Sequence, residues 1–255
     1  MNKRFITACL LVLAMMTGNA LAQDEGAKAN YVYATYFVCS PERESRADEI
    51  INSSYKPHYD AAVEQGDILG WSWLQHFVGG TWRRVLVIIA ADIESLLDAS
   101  GALGEIISDQ TPEAGRAFSE ICASHEDYIW RTAPDIGAAE ITQERGSAGF
   151  SVYLKCDINN EDRADELVRT VLAPIYNRRV TAGELTSWNW LSHHVGGEYR
   201  RLLIMSAADH KTVMQAREAI LEEFDGRKVE RAVTEMNRIC PTHQDYMWDI
   251  LLQTP

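Results

Sequence analysis

Two histidines, two arginine pairs and a set of tyrosines and tryptophans recur at fixed spacing in this chain. They are the side chains through which it could hold or transform a molecule. His76 and His193 occupy the same place in Trp71-Ser-Trp-Leu-Gln-His-Phe-Val-Gly-Gly80 and Trp188-Asn-Trp-Leu-Ser-His-His-Val-Gly-Gly197. An imidazole titrating near neutrality can carry a proton or ligate a metal or a haem iron. A buried histidine satisfied by a backbone carbonyl or packed against a helix is the heavier reading, because no sequence-adjacent partner completes a catalytic geometry. His194 replaces Phe77 in the second copy, so a site using it would be asymmetric.

Arg83-Arg84 and Arg200-Arg201 are adjacent in β-prone runs, so one member of each pair is expected on each strand face. An inward arginine would grip a carboxylate through two parallel hydrogen bonds. The competing use is an ion pair with helix acids such as Asp48, Glu49, Asp165 and Glu166. Trp73 and Trp190, each two residues after another tryptophan, could wall an apolar pocket; core filling between sheet and helices is the commoner use of such a stripe. Tyr36 and Tyr153 share a strand face with the small residues Ala34 and Ser151 and are expected to project between sheets, as general acids or as core hydroxyls. His125-x-Asp127 and His243-x-Asp245 read as local salt bridges rather than relays. No Ser-His-Asp order, Gly-rich phosphate loop, His-Glu-x-x-His or dinucleotide fingerprint occurs, which leaves hydrolase, kinase and Rossmann readings without support.

The recurrence reaches well beyond these residues. Held ungapped, 31–92 matches 148–209 at 24 of 62 positions. After a one-residue insertion, Cys122-x-x-His-x-Asp-Tyr-x-Trp130 returns as Cys240-x-x-His-x-Asp-Tyr-x-Trp248. The chain is an internal duplication, with repeats over 31–131 and 148–251 and a linker over 131–147. Each repeat opens on a β-prone run. A helix interrupted by Pro57 or Pro174 and stopped at Gly66 or Gly183 follows. Next come two strands around Gly-Gly, the second running from Trp82 or Tyr199. Helices then begin after Asp92 or Asp209 as N-cap, and a short aromatic strand closes the repeat. This is the β-α-β-β-α-β ferredoxin-like plan.

Cysteines constrain the plan independently. Cys39 and Cys122 in one repeat match Cys156 and Cys240 in the other, so the pairing that is identical in both halves is Cys39–Cys122 and Cys156–Cys240. In a ferredoxin-like repeat the end of strand one meets the start of strand four, where these residues fall. Paired cysteines belong to an oxidising compartment. Met1–Ala22 has the form of a secretory leader, with Lys3 and Arg4, an apolar run from Phe5 to Met16 that contains Cys9, and Ala20-Leu21-Ala22 as a cleavage site. A periplasmic or extracellular location after cleavage near Ala22 is expected. The leader carries two basic and no acidic residues, so its loss takes the net charge from −13 to −15. Nucleic acid and anionic membrane repel such a chain, and neither is an expected partner.

A tandem of such repeats, with an aromatic second strand and a Gly-Gly hairpin, resembles the dimeric α+β barrel superfamily. That group includes antibiotic-biosynthesis-monooxygenase-type proteins and the fused chlorite dismutases. The resemblance lies in topology over 31–251 and brings no catalytic motif with it. It implies two four-stranded sheets packed face to face, helices outside and a cavity between. A duplication supplies both halves, so a monomer suffices, with higher assembly left open. The leading functional expectation is binding of a small apolar or aromatic molecule between the sheets. The second is a cofactor-independent or haem-dependent oxidoreductase using His76 or His193 as base or ligand. The third is an interaction protein without a small-molecule site. No motif demands a cofactor or a metal; haem is left open by the resemblance alone.

Overall fold

A computed structural model describes residues 28–139 and 146–254; the leader and its cleavage site at Ala22 lie outside the described residues. The first repeat runs β1 (Tyr31–Val38), α1 (Glu44–Ile50), α2 (Lys56–Gln65), β2 (Gly70–Val78), β3 (Arg84–Ala90), α3 (Ile93–Gln110), α4 (Pro112–Ile121) and β4 (Ser124–Ala139). The second runs β5 (Ala148–Lys155), α5 (Glu161–Leu167), α6 (Ala173–Thr181), β6 (Ser187–Val195), β7 (Arg201–Ala207), α7 (His210–Glu222), α8 (Arg227–Ile239) and β8 (Thr242–Gln253).

The prolines act as their chemistry requires. Pro57 and Pro174 lack the N–H that an α-helical ladder needs. In both copies the helix widens into a π turn, Ile51–Tyr55 or Val168–Leu172, and restarts with proline in its first turn. Gly66 and Gly183 then leave the helix at φ 81° and 74°, where a side chain would be strained. The Asp92 and Asp209 carboxylates accept the Ser95 and Thr212 amide N–H bonds and cap α3 and α7.

All strand pairs are antiparallel, and the order β1-β3-β2-β8-β5-β7-β6-β4 closes on itself. The two sheets expected face to face are therefore stitched edge to edge, β2 to β8 and β4 to β6, into an eight-stranded barrel without a free edge. The expected linker 131–147 is partly strand, since β4 continues to Ala139. Pro134 is tolerated there because the ladder with β6 is interrupted between Thr132 and Gly137. Ile136, 1% exposed, packs into the helix-side core of the second repeat, which fixes this extension.

Val38 pairs with Ser124, so the residues flanking that pair meet. The Cys39–Cys122 and Cys156–Cys240 disulfides form as expected, spanning 83 and 84 residues. They fit a chain matured in an oxidising compartment. Each repeat has a core between its sheet and its helices, and a third core fills the barrel interior.

Candidate functional site

The barrel interior is the place the sequence nominates for a cavity, and it is packed. Tyr36, Trp82, Tyr128, Trp130, Tyr153, Tyr199, Tyr246 and Trp248 all lie in it, each at most 6% exposed. Tyr36 stacks on Trp82 at 4.2 Å, Trp82 on Tyr246 at 5.1 Å, Tyr246 on Trp248 at 4.9 Å and Tyr128 on Trp130 at 5.0 Å. The Trp130 Nε1–H donates to the Tyr36 oxygen at 3.3 Å, and the Tyr153 ring meets the Tyr36 ring edge to face at 5.5 Å. Burial pushes both Tyr36 and Tyr153 well above the ordinary phenol range, so they stay neutral hydroxyls. These rings occupy the space between the sheets that the resemblance left for a ligand. The reason is local: Trp82 and Tyr199, read from sequence as strand starts, precede β3 and β7 and turn inward instead.

The Gly-Gly turns make that packing fit. A Cβ on Gly80 would come within 2.0 Å of the Gln244 amide and 2.4 Å of the Tyr246 hydroxyl. One on Gly197 would come within 2.3 Å of the Tyr128 hydroxyl. Each hairpin turn thus seats the tyrosine of the other repeat, which explains why Gly-Gly and Asp-Tyr-x-Trp recur together.

His76 and His193 sit at the rims of this interior, half-buried. Arg83 Nη1 donates to His76 Nδ1 at 2.8 Å, and Arg200 Nη1 donates to His193 Nδ1 at 2.7 Å. An Nδ1 that accepts fixes the neutral tautomer with the proton on Nε2. Nε2 is buried, near the Gly79 or Gly196 backbone but without a well-formed hydrogen bond. Each ring stands edge-on to a partner aromatic: His76 to Trp248, His193 to Trp130, both at 6.2 Å. Burial, then the charge of the neighbouring arginine, holds both imidazoles below their ordinary value.

The arginine pairs do not divide between faces as expected. Arg83 precedes β3, so strand alternation does not govern it, and both guanidiniums converge on Glu44 outside the barrel. Arg84 grips Asp48 with Nε at 2.7 Å and Nη2 at 2.8 Å, and its Nη1 reaches Glu44 at 3.0 Å. Burial alone would depress its pKa; Asp48 and Glu44 outweigh that and raise it. Arg201 repeats the arrangement on Asp165 and Glu161, with Arg200 also on Glu161. Of the acids proposed as partners, Asp48 and Asp165 serve, whereas Glu49 and Glu166 bond Arg46 and Arg163. Asp48 and Asp165 also accept the indole N–H of Trp73 and Trp190, at 2.8 and 2.7 Å. Trp73 and Trp190 lie on the helix side, and so do not wall the barrel interior.

Open space exists elsewhere. An apolar cavity of about 120 Å³ lies between the second sheet and its helices. Trp190, Tyr176, Leu154, Leu172 and Met236 wall it, and Phe224, Val233 and Asn237 edge it. In the first repeat, Phe37, Tyr55 and Phe118 stand where Leu154, Leu172 and Met236 stand here. Those rings touch, Phe37 to Phe118 at 5.1 Å and Tyr55 to Phe118 at 5.8 Å, and Trp73 packs against them. Of this wall, sequence reasoning nominated only Trp190 for contact with a ligand. The aliphatic-for-aromatic exchanges were visible in the alignment of the copies, but only the helix orientations put them in one place.

No family model matches the chain, and no curated protein matches it. Solved structures match over nearly its whole length. A candidate monooxygenase from Lactobacillus acidophilus superposes with TM-score 0.59 at 5% identity, covering 89% of this chain and 96% of that one. One from Fusobacterium nucleatum gives 0.57 at 10% identity, covering 89% and 94%. A candidate chlorite dismutase gives 0.51 at 8% identity, covering 88% and 96%. The fold is the dimeric α+β barrel. At such identities the likeness reaches the fold of this barrel and not its chemistry. Among the described residues no group of His, Cys, Asp and Glu is arranged to hold a metal ion, and no helix is long and apolar enough to cross a membrane.

Proposed function

We propose that this α+β barrel is exported by its leader to a periplasmic or extracellular space and there binds a small apolar molecule on the helix side of its second repeat. The observation that carries the reading is the apolar cavity beside Trp190, at positions where the first repeat packs touching rings. Concave apolar space edged by few polar groups is the usual form of a small-molecule site. The duplicated His, Arg and Tyr side chains are engaged with one another or with helix acids, which favours a structural use of them.

An oxidoreductase is the second reading and draws on the fold of the neighbours. Its haem form asks for an imidazole facing a space that takes a macrocycle. His76 and His193 hold Nδ1 on an arginine and keep Nε2 buried near the backbone of the hairpin turns, and no histidine lines the 120 Å³ cavity. The residues present do not fit a haem.

Titrating the purified protein with neutral one- and two-ring aromatics, while following tryptophan emission, tests the binding reading. Trp190 lines the cavity, so a bound ligand should shift or quench its emission. An unresponsive signal across that panel overturns the reading.

A further inference from the structure

Resting on the binding reading above, we propose that the cavity takes a neutral, single-ring aromatic molecule with one hydrogen-bonding substituent, of the phenol class, and that Leu154, Leu172 and Met236 are the residues that admit it.

Size sets the first limit. At about 120 Å³ the space is somewhat smaller than the apolar cavity of roughly 150 Å³ known to take benzene. One ring fits and a fused ring system does not. The walls set the second. Trp190 is fixed by its indole N–H on Asp165, and Tyr176 is stacked on Trp188 at 4.8 Å. Two pre-oriented aromatic walls favour a flat aromatic guest over a branched aliphatic one. Charge sets the third. No lining residue is charged, and moving an ion out of water without a partner is prohibitive, so the guest is neutral.

Polarity at the mouth orients the guest. Leu172, Met236 and Val168 are buried at the back, whereas Asn237 is exposed at the edge. A carboxamide both donates and accepts, so a hydroxyl or amide substituent can bond there while the ring stays inside. Phe224 flanks the same mouth on the short turn Glu223–Asp225, which Glu223 ties to Arg178 and Arg179.

The first repeat shows what closes such a space. There Phe37 and Phe118 pack together, and Tyr55 reaches Gly115, the counterpart of Val233. Losing three rings, with Ile51 shortened to Val168 and only the valine at 233 added over a glycine, leaves the second repeat short of filler. Restoring the Phe pair in the second repeat should therefore close the site with the protein's own solution.

Calorimetric titration with 4-methylphenol, benzene and 1-naphthol tests this on the wild type, on Leu154→Phe/Met236→Phe and on Asn237→Ala. In the wild type 4-methylphenol should bind and 1-naphthol should bind at least about tenfold more weakly. The double variant should lose about tenfold or more for 4-methylphenol, and Asn237→Ala should weaken 4-methylphenol but not benzene. Circular dichroism and a cooperative melt report whether the double variant folds. Where it does not, the single Met236→Phe variant and the shift of the Met236 methyl resonance in the wild type locate the guest. Unchanged affinity in a folded double variant, 1-naphthol binding as tightly as the single ring, or an unmoved Met236 methyl overturns the proposal while leaving apolar binding intact. Failure of every compound to bind, the two-ring 1-naphthol included, overturns the binding reading and this proposal with it.

Discussion

The first repeat sends Tyr36, Trp82, Tyr128 and Trp130 into the barrel, and the second sends Tyr153, Tyr199, Tyr246 and Trp248, an aromatic for an aromatic at every position. On the helix side the same two repeats part company: Phe37, Tyr55 and Phe118 face Leu154, Leu172 and Met236. The inner face is shared, because each half's rings pack against the other's and each Gly-Gly turn seats a tyrosine from across the interface. A change there must be matched in both halves. The helix side belongs to one repeat at a time, so one copy can open while its twin stays closed. Duplication thereby separates the frame, kept twice, from the place free to specialise.

Substitutions at the ion-pair frame should have the largest effect and should be equal in the two halves. Asp48→Ala removes the two-pronged partner of Arg84 and leaves it Glu44 alone, and Asp165→Ala leaves Arg201 only Glu161, each guanidinium being at most 4% exposed. Removing one partner of such a pair costs about 3–5 kcal/mol. Urea unfolding should show similar losses for the two variants; a large inequality would break the claim of a common frame.

Exchanges on the helix side should be unequal and opposite in sign. Phe118→Met opens the filled half and should destabilise by about 1–2 kcal/mol. Met236→Phe fills space and should be neutral or stabilising by up to about 1 kcal/mol. Thermal melts of both check this, and losses of equal size would mean that the second repeat is packed as tightly as the first.

Acid should have the smallest effect. The fold holds His76 and His193 below the ordinary 6.5. The neutral ring is the form the fold prefers, with Arg83, Arg84 and Glu44 around His76, and Arg200, Glu161 and His194 around His193. Its contribution is complete above pH 6.5 and is lost as the pH falls from there toward the lower folded value. The denaturant midpoint should decline through that window, and His76→Gln with His193→Gln should flatten the decline. An unchanged slope would show that these imidazoles do not carry the acid sensitivity.

Topology and both disulfides were legible in the sequence because repeat pairing and strand order constrain each other. Pro57, Pro174, Asp92 and Asp209 were legible because their effects are local. The inward turn of Trp82 was not, since alternation along β3 says nothing about a residue just ahead of it. The same gap hid the convergence of Arg83 and Arg84 on Glu44. The cavity was hidden for another reason: Leu154, Leu172 and Met236 lie on β5, in the π turn and on α8, and only tertiary packing makes one wall of them.

Diffraction from a crystal pressurised with xenon, which enters apolar space without needing a hydrogen bond, tests the central claim most directly. A xenon peak among Leu172, Trp190 and Met236, with none among Tyr36, Trp130 and Tyr153, is the expected result. A peak inside the barrel, or an empty helix side in the second repeat, would contradict it.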